Sequence, residues 1–393
     1  MHPIIFSEDT CLNKPYLNAT PTMGWLEKIF SGFWLRVILI ALACFIAGCF
    51  PLKGNAQQKE WVTPAVNAPH LVQRIFYSAT VKTDVSFHVY TPESYDVDQE
   101  RRFPVIYWLH GHGGGVKAMP QVVEYFDRAM REGKIPPAIV VFPNGMPESM
   151  WSNSKDGKVP METVVIDELV PQVDATLRTI PSRAGRLIEG FSMGGYGAAR
   201  LGIKHPEIFG AISMLGAGPM QLEFNASVGP GNLASDRTRI LHDVYGNDQE
   251  YFRALSPWVL AEKYADAVRG KSKVRIVVGS HDVMQGPNQD FAAHLSRLQI
   301  PHDFYLVPNV VHNPIQLFQA LGETNWDFYR AVLGGKASTA HSKARGDTTE
   351  SKQHYAAPGK SYFAHGSMQR RQMICRLPQF GYDGAIHNFL LAL

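Results

Sequence analysis

The chain has 393 residues, of which 45% are hydrophobic and 19% charged, and its formal net charge is +3. A chain of this length and apolar content can bury a large core, and one domain of about 280 residues with tails at both ends fits it better than two domains. The charge is concentrated in the ends, +1 in residues 1–56 and +5 in residues 336–393, which leaves about −3 for residues 57–335 and no electrostatic footprint for nucleic acid there.

The first predicted element is an uncharged, mostly apolar stretch at residues 37–52. It is shorter than the roughly 20 residues that a spanning helix needs, so we interpret residues 1–56 as an export leader. Two processing sites compete: residues 54–56 resemble a signal-peptidase site, and Cys49 ends a stretch that resembles a bacterial lipoprotein box. Either one predicts an extracytoplasmic protein, and membrane contact is expected only through a lipid on Cys49. The length of the leader makes Met23 an alternative start.

The four cysteines lie at the two ends of the chain, at Cys11, Cys44, Cys49 and Cys375. The region 57–335 therefore has no disulfide and no cysteine metal site. No His-Glu-x-x-His motif or spaced Cys/His cluster occurs either, and we expect neither a metal nor a cofactor.

Alternating strand and helix patterns fill this region. Short apolar runs predict strands at 72–80, 85–90, 105–109, 138–142, 186–188, 211–215, 274–278 and 304–307. Helical patterns separate most of them, at 122–132, 164–179, 196–205, 257–269, 288–298 and 315–333. Such alternation predicts a mostly parallel eight-stranded sheet with helices on both faces, the α/β-hydrolase architecture.

Two stretches depart from this alternation. Residues 216–256 are rich in Gly and Pro, and they form either a cap over the site or a solvated loop. Residues 336–393 are polar and basic, and we expect a disordered tail.

The motif that organises the chain is EGFSMGGYG, in which Gly190, Ser192 and Gly194 form G-x-S-x-G between a predicted strand and a predicted helix. This is the context of a nucleophile elbow, where a sharp turn exposes a serine at the carboxyl edge of a sheet. Glycines on either side allow the close chain approach that such a turn requires. The alternative is a glycine-rich turn without chemistry.

A serine hydroxyl needs a base, and the base needs an acid that orients it. In this fold the chain order is Ser, acid, His. Asp282 stands just past the strand VRIVVGSHD and is the predicted acid, with Asp290 and Asp303 as weaker rivals. The structural alternative is that Asp282 only caps a turn.

His312, in the loop after the last strand, is the predicted base, and the alternative is a surface histidine. His281 precedes the acid and would point the other way in an extended segment. His205 ends the elbow helix, where it would stabilise the helix C-terminus.

Acyl transfer also needs donors for the oxyanion. The glycine-rich loop HGHGGG predicts one from the backbone N–H of His112, with Gly113 as the near alternative, and Met193 after the nucleophile predicts the other. A phosphate cradle is disfavoured because no Gly-Lys-Ser or Gly-Lys-Thr follows. Trp151, in the loop after FPNG, either lines the substrate pocket or belongs to the core.

Together these motifs resemble the putative-esterase family of α/β-hydrolases, which includes esterase D, feruloyl and acetylxylan esterases, and bacterial mycolyltransferases. The resemblance runs from about residue 87 to residue 333. It is carried by LHGHGGG, FPNG with Trp151, EGFSMGGYGAARLGIKHPEIFGAIS, VVGSHD and the loop of His312. It implies the same nucleophile, acid, base and oxyanion donors. One departure is the histidine loop, VVHNP, where relatives often have G-G-H and an aromatic residue.

The predicted function is a serine carboxylesterase of small-molecule or polysaccharide-linked esters, without nucleic-acid partners. Two rivals remain: an acyltransferase of the mycolyltransferase type, and a catalytically silent surface-binding protein of the same fold.

Overall fold

The computed structural model describes residues 61–224 and 232–334. The predicted leader with Cys49 and Met23, and the predicted tail at 336–393, lie outside the described residues. Within the two described ranges, no helix combines the length and the apolar character needed to cross a bilayer.

The centre of the fold is a sheet of eight strands in the order β1-β2-β4-β3-β5-β6-β7-β8. The strands are β1 Leu71–Ser78, β2 Thr83–Tyr90, β3 Val105–Leu109, β4 Ile139–Pro143, β5 Arg186–Phe191, β6 Ala211–Leu215, β7 Lys273–Gly279 and β8 Asp303–Val307. β2 pairs antiparallel with both β1 and β4, whereas β3 to β8 pair parallel with one another. The predicted mostly parallel eight-stranded sheet is confirmed.

Helices follow the strands along the chain. They are α1 Ser94–Val97, α2 Met119–Arg131, α3 Met161–Thr163, α4 Val170–Thr176, α5 Met193–Lys204, α6 Asn232–Asp243, α7 Gln249–Leu255, α8 Pro257–Val268, α9 Gln285–Arg297, α10 Pro314–Leu321 and α11 Glu323–Val332. A π-helical stretch, Val164–Leu169, joins α3 to α4.

The core lies on both faces of the sheet, as the period of two along β3 shows. Tyr107 and Leu109 belong to a cluster that includes apolar residues of α5, α8 and α9. Ile106 and Trp108 belong to a second cluster with α2, α10 and α11. A strand that is buried on both faces explains why it reads as a continuous apolar run.

Two sequence predictions need correction. The single helix at 315–333 is wrong, because Gly322 adopts φ +51° and divides it into α10 and α11. Residues 216–256 are also more than a loop, since they contain α6 and α7.

Helix α5 packs on the sheet so closely that only glycine fits at its second position. A Cβ on Gly194 would lie 1.9 Å from the carbonyl oxygen of Leu109, which is backbone and cannot rotate away. We expect Gly194→Ala to lower the free energy of unfolding by about 2 kcal/mol or more, because overpacking forces the helix off the sheet. Denaturant unfolding would measure this.

The matched control is Gly286→Ala in α9, where an added Cβ meets nothing within 4 Å. We expect that change to leave stability unaltered or to raise it by up to about 1 kcal/mol, since alanine is the better helix former. Equal stabilities for the two variants would contradict the packing argument.

Candidate active site

Ser192 occupies the turn between β5 and α5, and its backbone has φ +57° and ψ −119°. A non-glycine residue in this region costs on the order of 1–3 kcal/mol and persists only where its surroundings fix it. Here the N–H of Ser192 donates to Leu215 (2.9 Å), and its carbonyl accepts from Tyr196 (3.0 Å) and Gly218 (3.1 Å). The half-buried serine therefore has the strained geometry of a nucleophile elbow.

Asp282 and His312 form a hydrogen-bonded pair at the carboxyl ends of β7 and β8. The imidazole Nδ1 lies 2.8 Å from Oδ2 and 3.0 Å from Oδ1 of the carboxylate. The Asp282 side chain is fully buried, whereas that of His312 is 30% exposed. With its proton on Nδ1, the imidazole donates to the carboxylate and leaves Nε2 free to accept a proton.

The imidazole also contacts the segment that carries the predicted nucleophile. Its ring lies 4.4 Å from the ring of Phe191, the residue before Ser192. Gly216, which follows β6 with φ +47°, makes room for the pair, because a Cβ there would lie 2.8 Å from Asp282 Oδ2 and 3.3 Å from His312 Nδ1. Neighbouring strands β5 to β8 thus bring these residues to one edge of the sheet.

The rival residues lie elsewhere or have other partners. Asp303 forms an ion pair with Lys273 at 2.6 Å. Asp290 and His281 are exposed. His205 follows the last turn of α5, as predicted, and its Nε2 lies 3.1 Å from Glu162.

The glycine-rich loop after β3 lies against Ser192, since a Cβ on Gly111 would come 3.3 Å from Cβ of Ser192. The N–H of Gly113 donates to the carbonyl of Pro147 at 2.9 Å, so it is already engaged. This favours His112 over Gly113 as the predicted donor. Met193 opens α5, and N–H groups in a first helical turn have no acceptor within their own helix.

Trp151 is fully buried with 0% exposure, so it has no surface to offer a substrate. Its indole fills the space beside two glycines, because a Cβ would lie 2.3 Å from the ring at Gly145 and 2.5 Å at Gly197. Of the two roles that the sequence left open, the structure supports the core.

Helix α6 of the insertion docks on the loop after β4 through an ionic cluster that also includes His112 of the glycine-rich loop. Arg239 of α6 binds Glu148 with Nε at 2.8 Å from Oε2, and Asp236 with Nη2 at 2.8 Å from Oδ1. Glu148 in turn lies 3.0 Å from Nε2 of His112. Partial burial works to raise the pKa of Glu148, but hydrogen bonds from Arg239 and His112 outweigh it and lower that pKa.

The same cluster contains three potential metal ligands, His112, Glu148 and Asp236, whose donor atoms lie within 4.8 Å of one another. The guanidinium of Arg239 contacts both carboxylates, so one of their two negative charges is balanced from within the chain. The cluster is therefore explained by docking of the insertion.

Because Arg239 joins α6 to Glu148, whose carboxylate contacts the side chain of His112 in the glycine-rich loop, we expect Arg239→Met to lower kcat/KM for ester hydrolysis about fivefold. That loss corresponds to about 1 kcal/mol, the upper range for an exposed ion pair. Steady-state kinetics would measure it. The control is Arg131→Met at the far end of α2, where Arg131 pairs with Asp127 and the loss should be absent. An unchanged kcat/KM for Arg239→Met would contradict a functional role for the docking.

Sequence reasoning missed several of these residues. Phe191 and Gly216 both contact the predicted site residues. The glycines at 216 and 218, directly after β6, are a sequence signal for Gly216. Glu148 and Arg239 are 91 positions apart and carried no local signal.

The strand order, together with a strained serine at the same sheet edge as an acid–base pair, defines an α/β-hydrolase. A family model described as putative esterase matches residues 78–334, and the chain belongs to this family. The resemblance predicted from the motifs is therefore confirmed.

Two curated relatives show where the likeness lies. An endo-1,4-beta-xylanase/feruloyl esterase of Xylanibacter ruminicola is 30% identical over 161 residues, 39% of this chain and 22% of that protein. Esterase Rv1288 of Mycobacterium tuberculosis is 29% identical over 264 residues, 62% of this chain and 56% of that protein. The chain thus spans only part of the length of each.

Solved structures share the fold. A ferulic acid esterase superposes with a TM-score of 0.55 at 21% identity, covering 67% of this chain and 98% of that one. An S-formylglutathione hydrolase from Agrobacterium tumefaciens gives 0.54 at 19% identity, covering 69% and 99%. At these identities the likeness establishes the fold.

Proposed function

We propose that the protein is a serine carboxylesterase that works through an acyl-enzyme. The observation that carries this proposal is the Asp282–His312 pair, hydrogen-bonded at 2.8 Å, at the sheet edge where Ser192 adopts the elbow conformation. Membership of the esterase family supports the same reaction class.

In the first half of the reaction, Ser192 Oγ attacks the ester carbonyl while Nε2 of His312 takes its proton. The buried carboxylate of Asp282 holds Nδ1 and stabilises the imidazolium that forms. The backbone N–H groups of His112 and Met193 donate to the oxyanion. His312 then protonates the departing alcohol, which leaves the acyl group on Ser192.

In the second half, His312 takes a proton from water, and the hydroxide attacks the acyl-enzyme carbonyl. Collapse of the second tetrahedral intermediate returns the proton to Ser192 and releases the carboxylic acid. Every proton in this sequence moves through His312, so the reaction requires no second general acid or base.

For the substrate we propose polysaccharide-linked or other small carboxylic esters met outside the cytoplasm. The feruloyl esterase relative supports the substrate class. The apolar stretch at 37–52 supports export. Fractionation of cells that express the chain would test the location.

The decisive experiment offers the full chain a series of nitrophenyl acyl esters and methyl ferulate, with a fluorophosphonate probe in parallel. Hydrolysis and a phosphonyl adduct mapped to Ser192 are expected. Products formed with added sugar or lipid alcohols in place of free acid would favour the acyltransferase. A folded protein that neither hydrolyses nor reacts with the probe would be the silent surface-binding protein.

A further inference from the structure

His110 ends the buried segment that leads into the glycine-rich loop, and the proposed reaction does not use it. Its side chain is almost fully buried, with 9% of the residue exposed. Its Nδ1 lies 2.8 Å from the carbonyl oxygen of Gly111, and its Nε2 accepts from the N–H of Gly145 at 3.1 Å. Both ring nitrogens therefore bond to backbone in the loops after β3 and β4.

These two partners determine which nitrogen carries the proton. The N–H of Gly145 is a donor, so Nε2 must be unprotonated. Nδ1 then carries the proton and donates it to the Gly111 carbonyl. Burial lowers the pKa of His110 to about 4, against a smaller opposing effect of the Gly111 hydrogen bond, so the ring stays neutral near pH 7.

The Gly111 carbonyl belongs to the peptide unit whose N–H is that of His112. The unit is planar and trans, so its C=O and N–H point in opposite directions. Anchoring the carbonyl on the buried imidazole therefore fixes the direction of the His112 N–H. We propose that His110 is the positioning residue of the oxyanion loop, an inference that rests on the proposed function.

The ring has little freedom to turn away. It packs edge-on against Trp151 with centroids 5.0 Å apart. Gly115 passes so close that a Cβ there would lie 2.7 Å from Cβ of His110. The indole N–H of Trp151 also donates to the carbonyl of His110 at 3.2 Å. Two consecutive carbonyls at the start of the loop, those of His110 and Gly111, are thus held by buried donors.

Two substitutions test the two hydrogen bonds of the His110 ring separately. In His110→Asn, the amide nitrogen can take the place of Nδ1 and still donate to Gly111. In His110→Gln, the longer amide can reach the place of Nε2 and accept from Gly145, but the bond to Gly111 is lost. We expect His110→Gln to lower kcat about 100-fold, comparable with loss of one oxyanion donor, while KM stays within about twofold. His110→Asn should keep kcat within about fivefold of the parent.

A second readout separates positioning from simple loss of fold. A trifluoromethyl ketone forms an oxyanionic adduct with the serine, and its affinity should fall in His110→Gln by the same factor as kcat/KM. Rates are expressed per site that a fluorophosphonate can label. Equal kcat for the two variants would overturn the inference. So would a loss of kcat that disappears when rates are expressed per labelled site.

If His110→Gln does not fold, nitrogen NMR of the full-length parent decides. We expect the His110 signal, assigned by its absence from the spectrum of His110→Asn, to be that of a neutral imidazole with Nδ1 protonated and Nε2 unprotonated from about pH 6 to 9, since burial disfavours its charged form. A His110 ring protonated on Nε2 would overturn the proposal. A parent protein that hydrolyses no ester would instead contradict the proposed function, while the protonation state of His110 could still be measured by NMR.

Discussion

Replacing Ser192 by alanine is expected to lower kcat for ester hydrolysis by about 10⁶-fold. The change removes the only atom that forms the covalent bond in the proposed reaction. Asp282 and His312 would remain paired, but they would have no hydroxyl to activate. The residual rate would come from the oxyanion donors and substrate binding alone.

Stability provides an internal check on the same variant. Alanine must adopt the φ of +57° that Ser192 adopts, so the strain remains. Glycine takes this conformation without penalty, and we expect Ser192→Gly to be about 1 kcal/mol more stable than Ser192→Ala while equally inactive. Initial rates on nitrophenyl esters and thermal unfolding would measure both effects.

The control is Ser296→Ala on the exposed side of α9, where the hydroxyl donates to the Ala292 carbonyl within its own helix. That variant should retain the parent's rate and its reaction with fluorophosphonate. Hydrolysis by Ser192→Ala at a rate near that of the parent would sink the assignment of the nucleophile.

The strands could be predicted well from the sequence because their signal is local. The predicted runs 105–109 and 211–215 coincide with β3 and β6. Both are five-residue, mostly apolar runs buried on two faces, so each ends where its apolar residues end. The outer strand β1 is shifted from the predicted 72–80 to Leu71–Ser78. It is an edge strand with largely exposed side chains, so its hydrophobic pattern defines its ends less sharply.

The helices of the insertion could not be predicted in this way. Glycine and proline dominate the start of residues 216–256, and they masked the helical pattern of α6 and α7 further along. What holds this region is tertiary: Phe224, Tyr245 and Phe252 pack together with ring centroids 5.0–5.6 Å apart. Contacts of this kind have no fixed spacing in the sequence.

The candidate site likewise contains residues that a local sequence signal predicts and residues that only tertiary packing defines. Chain order and strand ends were enough to select Asp282 and His312, which the structure brings to hydrogen-bonding distance. The burial of Trp151 and the two hydrogen bonds of His110 depend on how the loops after β3 and β4 pack against each other. A glycine such as Gly145 shows in the sequence only as a turn residue, although its main role is to leave space for an indole.

Asp282→Asn is expected to lower kcat by about 10⁴-fold while the fold stays intact. The buried carboxylate accepts the Nδ1 proton of His312 through both oxygens, at 2.8 and 3.0 Å. An asparagine can turn its NH₂ group towards Nδ1, which then becomes an acceptor and moves the ring proton to Nε2. In that tautomer the imidazole cannot take the proton of Ser192.

The two rival acids provide matched controls, because each variant makes the same change from carboxylate to amide. Asp303→Asn removes an ion pair with Lys273, and Asp290→Asn alters an exposed position on α9. Both should retain kcat within about twofold, since exposed charges contribute little.

Ester hydrolysis and the rate of phosphonylation at Ser192 are measured for all three variants. The two rates should fall together in Asp282→Asn alone, because both reactions need an unprotonated Nε2. An Asp303→Asn enzyme that is inactive beside a fully active Asp282→Asn would move the acid to the neighbouring strand.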